Sequence, residues 1–206
     1  MKKFIQRVVR KIEMLLGMRD KNAIFFTKDY FRGRKFIIGD YTYGHPKVIF
    51  ENDDANLFIG KYCSISQEVT IFLGGNHRSD WITTYPFNAL PEYFPEGGDI
   101  IGHPATKGNV VIGNDVWIGR NVSILSGVTI GNGAIIGTGS VITKPIGAYE
   151  IWAGNPARLV KKRFNDVTIK NLEKIQWWNW NDEKVLRNIK RLQSNNLDEF
   201  LSDEAI

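Results

Sequence analysis

The stretch from Ile112 to Gly147 reads IGNDVWIGRNVSILSGVTIGNGAIIGTGSVITKPIG, and it repeats every six residues. An isoleucine opens each repeat, and the fifth position is apolar or small. The opening residues are Ile112, Ile118, Ile124, Ile130, Ile136 and Ile142, and the fifth positions are Val116, Val122, Val128, Ala134, Ser140 and Ile146. A period of six fits neither an amphipathic helix nor a long alternating strand. It predicts short strands joined by turns, with one large aliphatic side chain pointing inward per repeat.

The same phase occurs earlier, in IGDYTY from Ile38 and in IGKYCSISQEVTIFLGGN from Ile59. Stacked repeats of this kind bury a continuous ladder of aliphatic side chains, as in a solenoid. The sequence therefore predicts a mainly β chain, with a parallel β-helix over residues 36–157. Cys63 occupies a small fifth position, so we expect a buried packing residue. As the only cysteine, it excludes an internal disulfide.

Two segments of different composition flank the repeats within a single domain, residues 1–206. Residues 1–20 place apolar side chains at helical spacing between Lys and Arg, which predicts an amphipathic helix. That helix either lies on an anionic membrane surface through residues 1–17 or packs on the body or a sister subunit. Residues 158–202 predict a C-terminal helical segment, which we expect to cover the open end of the solenoid.

The net positive charge of the chain comes from its first 21 residues. Of the net charge of +5, residues 1–21 carry all: seven Lys and Arg against two acidic residues. The rest is neutral and contains no nucleic-acid-binding motif, so we expect no nucleic-acid partner. Neither a secretory signal nor a membrane-spanning apolar run is recognisable. A cytoplasmic location is expected, with peripheral contact at the inner face of the membrane if the leader binds lipid.

The repeat is interrupted by a loop over residues 74–105, which opens with GGNHRSDWITTYPFN, from Gly74 to Asn88. Such a segment is too long to be a mere connection. A packed prism of aliphatic side chains has no concave site of its own. Function therefore has to come from this polar and aromatic loop or from a groove between subunits.

Four motifs together resemble a known family: IGDYTYG, IGKYCSI, the loop GNHRSDWITTYPFN, and GNPARLVKKRF followed by WWNW. They resemble the hexapeptide-repeat acyltransferases, and more narrowly the xenobiotic acetyltransferases, which include streptogramin and chloramphenicol acetyltransferases. The match spans roughly residues 36–185. The resemblance implies a left-handed parallel β-helix, acetyl-CoA as cosubstrate, and a homotrimer with clefts between neighbouring β-helices.

The resemblance implies that His77 is the catalytic base. Acetyl transfer from a thioester to an alcohol needs a group that takes the hydroxyl proton as the C–O bond forms. An imidazole titrates close to neutral pH and suits this role. The thioester is already activated, so direct transfer requires no serine or cysteine nucleophile.

The other site residues fall into two sets. Asn76 and Asp80 are candidates to orient the ring of His77 or the acceptor, and His103 to cap the return of the loop. The acceptor-binding set is Tyr43, His45, Asn76, Asp80, Trp81 and Tyr85. The cofactor-binding set begins with Trp117, which the family resemblance places beside the pantetheine of the coenzyme. By analogy with related sugar acetyltransferases, it continues with Arg120, Thr138, Thr143, Lys144, Arg158 and Lys161.

The sequence is compatible with several functions. A sugar or glycan hydroxyl in surface-polysaccharide synthesis is favoured by the basic leader, and an antibiotic hydroxyl by the subgroup resemblance. A sugar amine is a third acceptor. A γ-type carbonic anhydrase would need three zinc-binding histidines, but the three here lack a close pair, so we expect no metal. An inert scaffold would not need the loop.

Overall fold

The computed structural model of the protein describes residues 25–51 and 54–204. The amphipathic helix predicted for residues 1–20 lies outside these ranges. Short strands account for most of the repeats. Their bounds are β1 Ile37–Ile38, β2 Lys47–Ile49, β3 Leu57–Ile59, β4 Ser64–Ile65, β5 Thr70–Phe72, β6 Val110–Ile112, β7 Trp117–Ile118, β8 Ser123–Ile124, β9 Thr129–Ile130, β10 Ile135–Ile136, β11 Val141–Ile142, β12 Glu150–Gly154 and β13 Ala157–Lys162.

The strands form three sheets that enclose a three-sided prism. The first sheet has the order β1-β3-β6-β9, the second β13-β12-β10-β7-β4 and the third β11-β8-β5-β2. From β3 to β11 the strands visit the first, second and third sheets in turn, and all pairs except β12–β13 are parallel. Ile112 pairs with Ile130, its counterpart three repeats later, so three hexapeptides make one coil. The predicted parallel β-helix is confirmed.

The inward side chains form the expected aliphatic ladder. The six isoleucines that open the repeats are at most 2% exposed. Burying one such side chain contributes about 1.5–3 kcal/mol, so the ladder is the main source of stability. Cys63 is also fully buried. Burial raises the pKa of its thiol to about 11, which suits a packing residue and not a nucleophile.

Three corners join the sheets, and each corner stacks on its equivalent in the next coil. We call them the first corner (first to second sheet), the second corner (second to third sheet) and the third corner (third sheet back to first). In two successive coils the first corner comprises residues 113–116 and 131–134, and the second corner comprises residues 119–122 and 137–140. The third corner comprises residues 125–128 and 143–146.

A ladder of asparagine side chains binds the coils together at the first corner. The Oδ1 atom of Asn114 accepts the backbone N–H of Lys61 at 2.8 Å. The Oδ1 atom of Asn132 accepts the backbone N–H of Asn114 at 2.8 Å. A Cβ atom on Gly113 would lie 2.6 Å from the Oδ1 atom of Asn132. Glycine before asparagine in the IGN repeats therefore permits this close stacking.

The C-terminal segment differs from the prediction in its first residues. Residues 157–162 form β13, which pairs antiparallel with β12, so helical structure begins at Asp166 and not at residue 158. The chain reverses after β12, and the sequence of β13 carries no repeat that would reveal it. The helices are α1 Thr27–Tyr30, α2 Asp166–Ile175, α3 Asp182–Leu192 and α4 Leu197–Asp203, with 3-10 turns at Phe87–Ala89, Pro95–Gly97 and Trp177–Asn179.

The helices of the tail pack along the first corner, whereas β13, the first part of the tail, pairs with the free edge of β12 at the last coil. The prediction that the tail covers the open end therefore holds for β13 and not for the helices. Asn132 donates to Glu173 of α2 at 3.1 Å, and the ring of Tyr62 lies 4.7 Å from that of Trp177. At the far end of the prism, the Tyr41 hydroxyl donates to Asp182 of α3 at 2.7 Å. The tail thus runs back from the last coil to the first. Trp152 of β12, buried with the isoleucines, packs at the last coil instead.

We expect Asn114→Ala to lower the free energy of unfolding by about 1–3 kcal/mol, because the Lys61 N–H loses its acceptor inside a packed corner. Chemical denaturation measures the change. Thr129→Ala, at an exposed position of β9, is the control and should change stability little. Equal stability of the two variants would show that the asparagine ladder contributes nothing.

Candidate active site

The loop leaves the prism at the third corner, between β5 and β6. Leu57 of β3 pairs with Val110 of β6 across the loop, just as Val111 of β6 pairs with Thr129 of β9 in the regular part. The loop is therefore an insertion within one coil, and the stacking of the coils continues past it. The backbones of Asn76 and Ala105 pair with each other at 3.0 and 2.8 Å. The loop thus begins and ends at one place, which fixes its base while its body extends outward.

Ser126, in the third corner, fastens both ends of the loop. Its hydroxyl accepts the side-chain amide of Asn76 at 2.9 Å and the backbone N–H of Lys107 at 3.2 Å. Ser126 is only 4% exposed, so neither donor has a ready replacement in water. The structure thus gives the Asn76 side chain a structural bond, whereas the sequence had suggested a contact with the acceptor or with His77.

The ring of His77 is exposed and oriented by one backbone carbonyl. Its Nδ1 atom lies 2.7 Å from the carbonyl oxygen of Thr84. A carbonyl only accepts, so Nδ1 carries the hydrogen and Nε2 keeps a lone pair. This tautomer is the one that a general base needs. The orienting group is therefore Thr84, which the sequence had not indicated, and not Asn76 or Asp80.

Asp80 and Trp81 are engaged by the same arginine. Arg78 donates to the two carboxylate oxygens of Asp80 at 2.7 and 2.5 Å, and this lowers the pKa of the carboxyl to about 2. The Arg78 guanidinium also lies 5.3 Å from the ring centre of Trp81. Further along the loop, the half-exposed Tyr85 packs on Phe87 at 4.7 Å. Arg78, Asp80 and Trp81 thus form one contacting group, and Tyr85 and Phe87 form another.

His103, from the returning part of the loop, packs directly on His77. The two ring centres are 4.4 Å apart and the rings are nearly perpendicular, at 89°. His103 is 9% exposed. Burial, and then the neighbouring His77, hold the pKa of His103 below its ordinary value. The sequence suggested only a cap for the loop, because the two histidines lie near opposite ends of the loop sequence.

A cavity of about 570 Å³ lies at the second corner and brings together Tyr43, His45 and Trp117. Tyr43 stacks on Phe25 at 5.3 Å and His45 stacks on Tyr30 at 4.5 Å, two aromatic partners that the sequence did not indicate. The cavity lining is Phe25, Tyr43, Gly44, His45, Ser64, Ile65, Ser66, Gln67, Glu68 and Trp117. It includes no residue of the loop 74–105.

The predicted cofactor residues lie on different edges of the prism. Arg120 and Thr138 stack at the second corner, where the carbonyl of Arg120 accepts the N–H of Gly139 at 2.8 Å. The guanidinium of Arg120 is paired with the carboxylate of Glu68 at 2.7 and 3.0 Å. That pairing lowers the pKa of Glu68 and raises the pKa of Arg120.

The remaining cofactor candidates occupy the third corner and the second sheet. Thr143 and Lys144 lie at the third corner, and the Lys144 ammonium is 5.8 Å from the ring centre of Trp152. Trp117, 56% exposed, shares a row of the outer face of the second sheet with Lys161, and Arg158 lies further along β13. A single chain therefore brings together neither the seven cofactor candidates nor His77 and the cavity.

The described part of the chain offers neither a metal centre nor a membrane span. Over residues 25–51 and 54–204, no cluster of at least three His, Cys, Asp or Glu side chains could hold a metal ion. In the same ranges, no helix has the length and apolarity required to cross a bilayer.

Comparison with known proteins identifies relatives along most of the chain. A family model described as bacterial transferase hexapeptide (six repeats) matches residues 109–144. The chain is 46% identical over 139 residues to a probable macrolide acetyltransferase of Lysinibacillus sphaericus, covering 67% of this chain and 77% of the relative. It is 33% identical to a chloramphenicol acetyltransferase of Agrobacterium fabrum, covering 96% and 94%. It is 34% identical to a virginiamycin A acetyltransferase of Staphylococcus aureus, covering 84% of each chain.

The fold and the loop define an acyltransferase built on a left-handed parallel β-helix. With these relatives, the chain belongs to the hexapeptide-repeat acetyltransferases, in the xenobiotic acetyltransferase subgroup. Enzymes of this family take the acetyl group from acetyl-CoA, and the predicted acetyltransferase activity and cosubstrate are thereby confirmed.

We expect Ser126→Ala to loosen the loop, because it leaves the Asn76 amide and the Lys107 N–H without their buried acceptor. The melting temperature should fall and limited proteolysis should cut within residues 74–105 faster than in the unaltered protein. Ser123→Ala, on the preceding strand β8, is the matched control. Proteolysis at the same rate in both variants would contradict the role of Ser126 in holding the two ends of the loop.

Proposed function

We propose that the protein transfers acetyl from acetyl-CoA directly to a hydroxyl of a small-molecule acceptor, with His77 as general base. The observation that carries this proposal is the 2.7 Å contact between Nδ1 of His77 and the Thr84 carbonyl, because it leaves Nε2 as the free proton acceptor. The loop holds this nitrogen on an exposed ring, where a substrate can reach it.

The reaction follows from this geometry. The acceptor hydroxyl gives its proton to Nε2 as its oxygen attacks the thioester carbonyl carbon. The C–O bond forms and the carbonyl electron pair moves to oxygen. When the carbonyl re-forms, the C–S bond breaks and the thiolate takes the proton from Nε2. The products are the acetyl ester and the thiol of coenzyme A, and His77 returns to its starting tautomer.

We further propose that the active site is shared between neighbouring subunits of a homotrimer. The loop with His77, Thr143 and Lys144 occupies the third corner, whereas the cavity, Arg120 and Thr138 occupy the second. A rigid prism cannot bring its own corners together. A heterologous contact that closes after three copies would place the third corner of one subunit beside the second corner of the next.

In this arrangement the cofactor candidates complement each other. Trp117 and the outer face of the second sheet would line the pantetheine arm, and Lys144, Arg158 and Lys161 would meet phosphate groups as point charges or forks. Arg120 would have to leave Glu68 to join them. Both side chains of that pair are 57% exposed, so solvent screens the pair and its loss costs little.

For the acceptor we propose an antibiotic-like hydroxyl compound, of the chloramphenicol or streptogramin A kind. The cavity is lined by Phe25, Tyr43 and Trp117, which suits a partly apolar ring-bearing molecule. The names of the relatives also refer to antibiotics. The prediction of a sugar hydroxyl as acceptor depends on the basic leader, which lies outside the described residues. Acetylation of a sugar is therefore the competing outcome of the experiment.

We expect His77→Ala to lower kcat by about 10²- to 10⁴-fold, the usual contribution of a general base. Thiol release from acetyl-CoA measures it, first with chloramphenicol and streptogramin A, then with oligosaccharide and nucleotide-linked sugars. Ser79→Ala, exposed on the same loop, should retain activity.

The acceptor panel separates the alternatives. Turnover of an antibiotic that His77→Ala loses supports both the acceptor and the base. Turnover only of sugars would overturn the acceptor, and turnover of an amino sugar would do so in favour of N-acetylation. Equal rates for His77→Ala and the unaltered enzyme would remove His77 as the base.

Complementation tests the shared site. We expect His77→Ala and Ser66→Trp, which fills the cavity, each to be inactive alone. Co-expressed at equal amounts, they should regain about a quarter of the full activity, because random mixing gives that share of sites with an intact His77 and an intact cavity on neighbouring subunits. A site within one chain would regain none, since no chain carries both intact residues.

A further inference from the structure

We infer that His103 is a positioning residue for His77: its buried ring packs perpendicular to the imidazole of His77 and holds Nε2 in the direction that proton transfer requires. This inference rests on the proposed role of His77 as the base. It assigns no contact between His103 and either substrate.

The ring of His77 has few contacts that could fix its orientation. Its ring is exposed and makes one hydrogen bond, from Nδ1 to the Thr84 carbonyl. A bond through a single ring atom fixes the tautomer, but it leaves the ring free to swing about that bond. The ring of His103 packs against the ring of His77 at 4.4 Å and 89°, and we infer that this contact restricts the swing. Perpendicular packing is also an arrangement that aromatic rings prefer.

The ring of His103 contacts its neighbours within the described residues by packing alone. Both its nitrogens are buried without a hydrogen-bond partner. Because its nitrogens make no hydrogen bond, ring packing is the contact through which His103 acts on His77. The ring of Trp81 lies 6.5 Å from that of His103 and the ring of His77 lies 4.4 Å from it, so His103 is near both Trp81 and the proposed base.

The charge of the His103 ring also matters for its neighbour His77. Burial and the neighbouring His77 lower the pKa of His103, which favours the neutral form of its ring. A neutral neighbour does not repel the imidazolium that forms on His77 during transfer, whereas a cation would. The nearest charged residues of the loop in sequence, Arg78 and Asp80, pair with each other and form a compensated couple.

The backbone of His103 is anchored independently of its ring. Its carbonyl accepts the side-chain amide of Asn88 at 2.7 Å, and the same amide donates to the Ile100 carbonyl at 3.0 Å. Gly102 adopts a φ of +106°, which lets the chain turn beside Arg78 and Trp81. Replacing the ring of His103 therefore need not displace the segment that carries it.

The test compares His103→Phe with His103→Leu, which have similar bulk but differ in aromaticity. We expect His103→Leu to lower kcat by about 10- to 100-fold with little change in KM for acetyl-CoA, the effect of a misdirected catalytic group. His103→Phe should stay within about 3-fold of the unaltered enzyme, because it keeps the perpendicular ring. Melting temperatures and native mass confirm that both variants fold and assemble.

Nitrogen NMR of labelled histidines gives a readout that does not depend on turnover. In the unaltered protein and in His103→Phe, His77 should show the single tautomer with hydrogen on Nδ1. In His103→Leu we expect a mixture, because the bond to Thr84 is no longer enforced. A single tautomer and unchanged kcat in His103→Leu would overturn the inference. A His103→Phe variant as slow as His103→Leu would also overturn it, since the nitrogens of His103 would then matter.

The same measurements distinguish failure of this inference from failure of the proposed function. If His77→Ala is fully active, the proposed base is wrong, yet the tautomer of His77 in His103→Leu still reports whether His103 holds the ring. If His77→Ala is inactive while His103→Leu keeps both kcat and a single tautomer, the base stands and the positioning role fails.

Discussion

The inward ladder of isoleucines is the constraint on which the rest of the structure depends. Because three hexapeptides close one coil, each residue stacks on its equivalent in the next coil, as Ile118 does on Ile136. Every outward position therefore also forms a column along the prism. The asparagine ladder of Asn114 and Asn132 is one such column, and it satisfies backbone N–H groups at the corner with side chains of the next coil. Core and corner thus enforce the same register.

A prism built in this way is rigid and convex, and this decides where chemistry can take place. Its interior is filled mainly with aliphatic side chains, and a buried polar one such as Ser140 spends its hydrogen bonds on the backbone, so a reacting polar group has no place there. His77, the proposed base, is carried on an insertion, whose two ends return to one corner and share the buried hydroxyl of Ser126. The insertion can carry unusual contacts, such as two adjacent imidazoles, because the aliphatic register holds without it.

The repeat allowed the strands and the inward residues to be predicted from sequence, since one period states both the strand length and the buried position. The tail was predicted less well. Its charged composition indicates helices, but β13 pairs antiparallel with β12, and the helices follow the column of Tyr41 and Tyr62 at the first corner. In the site, His77 was recognisable from its motif, whereas Thr84 and His103 were not. Their places depend on how the loop folds back, which has no period.

The division of the site between corners follows from the same geometry. Residues one coil apart stay about 5 Å apart along a column, while residues at different corners are kept apart by the packed core. The cofactor candidates that the motifs suggest as one site therefore lie on several edges of the prism. Only a neighbour related by rotation about an axis parallel to the prism can bring such edges together without disturbing the ladder. If the site is shared as proposed, the chemistry would require such a symmetric assembly, and the exposed Trp117 on the outer face of the second sheet would lie where the neighbour meets it.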